Sequence, residues 1–173
     1  MISQCVYQWV TDKKEINNPG EIIEIRLKDS SKASLEAGLN EIWLESIQAN
    51  AFEGFSAITE ISLFENSLES VPNGLFDGLY NLNELNLCGN KLQSLPNGLF
   101  NGLSNLVELG LSGNELETLP KGLFDDLSNL IELDLEDNKL ESLPNGLLNG
   151  LSNLTKIFLT GNKYHIIWFS ISC

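Results

Sequence analysis

The chain predicts a right-handed solenoid with a concave parallel β-sheet and an irregular or short-helical convex side, an α/β-type repeat. Three observations carry that expectation: a fixed period, an alternating apolar frame within it, and turn residues at the same point of every period. Asn66, Asn90, Asn114, Asn138 and Asn162 each follow the last by 24 residues. A period of this length marks stacked supersecondary units, each unable to bury its apolar face alone.

Each segment of the period has a physical reason. Leu82, Leu85, Leu87, Asn90 and Leu92 recur as Leu106, Leu109, Leu111, Asn114 and Leu116. In Leu85-Asn86-Leu87 the leucines point into the coil and Asn86 points out, because side chains alternate along a strand. Stacked coils therefore build one strand each into a parallel sheet. The repeated Asn closes each strand, where backbone groups lose their ladder partners and a buried amide can bond to them. The return half carries Leu95-Pro96-Asn97-Gly98, Leu119-Pro120-Lys121-Gly122 and Leu143-Pro144-Asn145-Gly146, which suits tight turns. Phe76, Phe100 and Phe124 are expected to stack as an aromatic spine, with Leu148 in the ring's place in the last full repeat.

The frame L-x-x-L-x-L-x-x-N-x-L is that of the leucine-rich repeat. The stretch Leu92–Leu106, with Leu95-Pro96-Asn97-Gly98 and Phe100 inside it, resembles the typical extracellular class found in variable lymphocyte receptors, Toll-type ectodomains and small leucine-rich proteoglycans. The resemblance covers about residues 58–165. It implies a binding module working through its concave face, in an extracellular or cell-surface setting. The ligand stays open, because such frames bind proteins, glycans and lipids with unrelated residues.

Three regions are expected: an N-terminal capping segment 1–21, repeats over 22–165, and a capping tail 166–173. The repeats make about six to seven coils, the first two irregular. Ile22–Leu27 is the first strand candidate, although the Asn of the frame is missing after it. Coil two reads as shortened, since Ile58 follows Leu39 by 19 residues. Cys5–Val10 is a candidate antiparallel closing strand, with Asn17–Gly20 as its turn. Extracellular relatives close both ends with clustered cysteines, whereas this chain has only Cys5 near one end and Cys173 at the other. Ile166, Ile167, Trp168 and Phe169 are expected to cover the last coil instead.

Composition narrows the function. The 173 residues carry a net charge of −14, with ten basic against 24 acidic side chains. That balance repels nucleic-acid phosphates and anionic lipid surfaces. No apolar run approaches the roughly 20 residues that span a bilayer. Met1–Tyr7 lacks a basic segment followed by an apolar stretch, so no signal peptide is expected within this span. Cys5 and Cys173 lie about seven coils apart, on the order of 30 Å at ~4.8 Å per strand, too far to bridge. Cys88 is expected outward and unpaired. His165, the one histidine, has no nucleophile motif near it, and the glycines recur with the repeat instead of forming a phosphate loop. No catalytic residue, cofactor or metal is expected.

The concave face is therefore the candidate site. One outward column reads Glu24, Glu41, Glu60, Glu84, Glu108, Glu132 and Lys156. The middle column reads Arg26, Trp43, Ser62, Asn86, Gly110, Asp134 and Phe158, and the next Lys28, Glu45, Phe64, Cys88, Ser112, Glu136 and Thr160. The ladder of acids suits a basic protein or peptide, unless it merely descends from repeat duplication. The varied columns hold candidate contacts, namely Arg26, Trp43, Phe64, Asn86, Asp134, Glu136, Lys156 and Phe158 beside Glu60, Glu84, Glu108 and Glu132. Gly110 and Ser112 predict a shallow depression. Glu132, Asp134, Glu136 and Asp137 are not read as a cation site, because carboxylates two apart on a strand stand ~6.6 Å apart and do not converge. Asn153-Leu154-Thr155 is the one candidate glycan acceptor. Two other readings stay open: an intracellular, cytoplasmic scaffold or effector-like interaction domain, and a self-assembling structural repeat. Oligomeric state is left open.

Overall fold

The computed structural model describes residues 44–163 and the backbone of two short preceding segments, Glu21–Ile22 and Leu35–Gly38. Among the described residues there are eight strands: β1 (Glu21–Ile22), β2 (Leu35–Gly38), β3 (Ser46–Ile47), β4 (Ile58–Ser62), β5 (Glu84–Asn86), β6 (Glu108–Gly110), β7 (Glu132–Asp134) and β8 (Lys156–Phe158). Six of them, β2 and β4 to β8, form one parallel sheet in chain order, and β1 pairs with β3 apart from it. Parallel neighbours in sequence order require every connection to run back behind the sheet, which is the solenoid.

The register is the sequence period made physical. Glu60, Glu84, Glu108 and Glu132 are successive Cα partners, as are Ile61, Leu85, Leu109 and Leu133. Ile61, Leu85, Leu109 and Leu133 are buried, with their strand neighbours turned outward as alternation requires. The convex return is built of consecutive turns, with Leu99 N donating to Pro96 O, Asn101 N to Gly98 O and Leu103 N to Phe100 O. The aromatic spine is present and one ring longer than expected. Phe52, Phe76, Phe100 and Phe124 stack with centroids 6.1, 6.3 and 6.1 Å apart.

The buried asparagines knit coil to coil. Asn114 Oδ1 accepts from Leu92 N of the preceding coil, and its Nδ2 donates to Leu87 O there and to Leu111 O in its own. Asn90 and Asn138 repeat the pattern. The residue before each Asn turns the chain out of the strand with positive φ: Glu65, Gly89, Gly113, Asp137 and Gly161. Glycine takes that conformation without a Cβ clash, so Glu65 at φ 51° and Asp137 at φ 49° are the strained members of the set.

The N-terminal register differs from the sequence expectation. Glu36, not Glu41, is the Cα partner of Glu60. Leu44 N donates to Asn66 Oδ1 as Leu68 N does to Asn90 Oδ1, so Leu44 holds the place of Leu68, 24 residues on. Coil two is therefore full length, and the expectation of a shortened coil is wrong. The misleading feature is Leu39-Asn40-Glu41-Ile42-Trp43-Leu44, which imitates Leu82-Asn83-Glu84-Leu85-Asn86-Leu87 but lies five residues out of phase. The first concave strand also differs, because Glu21–Ile22 pairs with Ser46–Ile47 outside the main sheet. Glu45 precedes that return pairing and does not join the outward column. Glu24, Arg26, Lys28, Glu41, Trp43, Cys5, Cys173, His165 and Ile166–Phe169 lie outside the described residues.

Candidate recognition face

The concave face from β4 to β8 holds most of the expected site. Glu84 and Glu108 are exposed, and Glu60 and Glu132 are half-buried. With strands ~4.8 Å apart, four carboxylates stand side by side. A depression of about 210 Å³ lies among them, lined by residues of β4 to β7 together with Cys88. Gly110 is one of the residues lining it, and Ser112, expected to share it, is not.

The neighbouring columns are used differently from expectation. Asn86 Oδ1 accepts from Cys88 N at 2.9 Å, and Asp134 Oδ1 accepts from Glu136 N at 3.0 Å. Both short side chains fold onto the backbone two residues ahead and finish their strands. Expected as ligand contacts, each thus has a local structural task. Glu136 is half-buried beside the strand exit, and its carbonyl accepts from Gly113 N. Phe64 is half-buried, whereas Phe158 is 39% exposed on β8.

Lys156 is an internal partner. Its Nζ donates to Glu132 Oε2 at 2.7 Å, and that hydrogen bond, ahead of the charge attraction, raises the Lys156 pKa. The acidic run open to solvent therefore ends at Glu108 rather than Glu132. Lys139 and Glu115 make a similar bond across coils at 2.8 Å, which lowers the Glu115 pKa. Among the described residues no group of His, Cys, Asp or Glu is arranged to hold a metal ion.

Cys88 departs from the expectation of a solvent-facing thiol. It is half-buried, and its sulfur lies over Gly110, where a Cβ would meet it at 2.6 Å. Burial raises the thiol pKa above its ordinary value and Asp134 adds to this, against hydrogen bonding with Ser112. Alkylation of folded Cys88 at neutral pH is expected to be slower than that of a free thiol, and to keep accelerating with pH beyond the point where a free thiol levels off, since only the thiolate reacts. Reaction at the rate of a small free thiol would show that the face is open at this point.

Sequence reasoning missed a second polar ladder at the strand starts. Asn81, Asn105, Asn129 and Asn153 donate through Nδ2 to Ser56 O, Tyr80 O, Ser104 O and Ser128 O of the coil before. Their 24-residue spacing was the available signal. Asn153, the candidate glycan acceptor, belongs to this set, so its presence has a structural reason. Beside the ladder runs an uncharged groove of about 480 Å³ floored in part by Val107 and Ile131.

A parallel-sheet solenoid with buried leucines, an asparagine ladder and an open concave face defines a repeat protein of the leucine-rich class. The family model for the leucine-rich repeat matches residues 56–116, 80–128 and 105–163, and the chain belongs to that family. Solved structures matching it number 230 chains. One is a leucine-rich-repeat protein of Leptospira interrogans, 29% identical, with TM-score 0.64, covering 72% of this chain and 30% of that one. The chain thus spans under a third of that relative's length. No curated protein matches it. Leucine-rich repeats generally serve as protein-interaction modules, and among the described residues no helix is long and apolar enough to cross a membrane.

Proposed function

We propose that the chain is a non-catalytic recognition module whose acidic concave face binds a protein or peptide with a basic surface. The observation that carries this reading is the registered row of Glu60, Glu84, Glu108 and Glu132 on a face with no covering element among the described residues. Adjacent like charges on neighbouring strands cost roughly 0.2–1 kcal/mol per pair. Lys156 already offsets Glu132, and a cationic ligand would relieve the exposed Glu84 and Glu108. The extracellular, variable-lymphocyte-receptor-like setting is part of the proposal. A half-buried Cys88, its thiol pKa raised by burial, does not conflict with that setting.

The test is the association rate of a lysine-rich peptide with the wild type and with a Glu84→Lys/Glu108→Lys variant. Both carboxylates stand outside the core, so the variant should fold. Capture should slow about tenfold or more at low salt. The difference should shrink as the Debye length falls from ~10 Å at ~0.1 M to ~3 Å at ~1 M. Equal rates for both proteins would reduce the glutamate row to a product of repeat duplication.

A further inference from the structure

The concave face is not uniform along its length. Glu108, Glu132 and Lys156 are consecutive Cα partners from β6 to β8, and the last acid is tied to Lys156. Glu84 and Glu108 remain exposed. On β8, two residues past Lys156 and on the same face, Phe158 is 39% exposed. The positions paired with it along the sheet are Asp134, Gly110, Asn86 and Ser62, so it is the one aromatic of that described column. The depression is lined only as far as β7, so Lys156 and Phe158 stand beyond its end.

We infer that the Lys156–Glu132 pair and Phe158 give the face a fixed polarity, selecting a protein segment with cations at one end, an uncharged spacer, and an apolar side chain at the other. This rests on the reading of the acidic face above. Strands are ~4.8 Å apart, which puts β8 about 10 Å from β6, and an extended chain advances ~3.3 Å per residue. About three residues therefore separate a cation over Glu108 from an apolar group over Phe158. Exposed aromatics are the usual apolar anchors of interfaces. A cation within the spacer meets Lys156 instead of an open carboxylate. Selectivity then comes from rejecting charge in the middle as well as attracting it at the end. Lys156 is in this sense a specificity-determining residue.

Two amidated, fluorescent peptides test the inference. One carries two lysines, two serines and a phenylalanine; in the other the second serine is lysine. Each is titrated by anisotropy into wild type, Lys156→Gln, Phe158→Ala and Glu84→Lys/Glu108→Lys. The Lys156 side chain is 60% exposed, so glutamine is accommodated there. The preference for the neutral spacer should fall about threefold in Lys156→Gln, the scale of one exposed charge pair. Phe158→Ala should weaken both peptides alike. An unchanged preference in Lys156→Gln, with both peptides still lost in the Glu84→Lys/Glu108→Lys variant, overturns the polarity and leaves the acidic face standing. Failure of both peptides to bind wild type overturns the two together.

Discussion

Phe100→Ala is expected to cost about 3–5 kcal/mol in unfolding free energy, the range for removing a fully buried ring. Phe100 is 0% exposed and stacks against Phe76 at 6.3 Å and Phe124 at 6.1 Å. The cavity cannot collapse easily, because the rings on either side belong to coils held apart by the sheet spacing. In a solenoid each coil touches only its neighbours, so the loss falls on one inter-coil interface. Urea unfolding followed by circular dichroism should show a lowered midpoint and, where the array uncouples, a separate early transition. A change below 1 kcal/mol would contradict the stacked spine.

Asn114→Ala should destabilise the fold by a different route, without removing much apolar area. The side chain satisfies Leu92 N, Leu87 O and Leu111 O at 3.1, 3.0 and 3.1 Å, and Asn114 is 6% exposed. Each buried backbone group left without a partner costs about 1–3 kcal/mol. Leu87 O and Leu111 O keep Asn90 Nδ2 and Asn138 Nδ2 as donors, so Leu92 N is the group orphaned. A loss of about 1–3 kcal/mol follows, and less if water can enter. Amide exchange should report the site of damage, with Leu92 N–H losing protection most. Unchanged protection there would mean that the ladder is dispensable.

From β4 onward the fold was legible because several independent signals share one phase. Leucine alternation, the strand-closing Asn, the Pro-x-Gly turn and the phenylalanine each recur at 24 residues. Before β4 two of those signals disagree. Leu39–Leu44 imitates a strand by its leucines and its glutamate, but Ile42 stands where the 24-residue phase requires Asn. Phe52 and Phe76 hold the true phase, and the convex half was the better guide. The glutamate column was readable for the same reason as the core, since alternation fixes which way each strand residue points. The neighbouring column was less so. A short polar side chain such as Asn86 or Asp134 can turn back onto its own backbone, and alternation does not forbid that. The Lys156–Glu132 bond was implicit in the columns, as opposite charges one strand apart, although the register alone does not say which acid loses its vacancy.

Amide chemical shifts of the isotopically labelled chain, titrated with a lysine-rich peptide, probe the acidic-face proposal most directly. The largest changes are expected within Glu84–Asn86 and Glu108–Gly110, the exposed acids and part of the lining of the depression, with Pro96–Gly102 on the convex side unmoved. Changes confined to the convex turns, or none at saturating peptide, would contradict recognition through the acidic face.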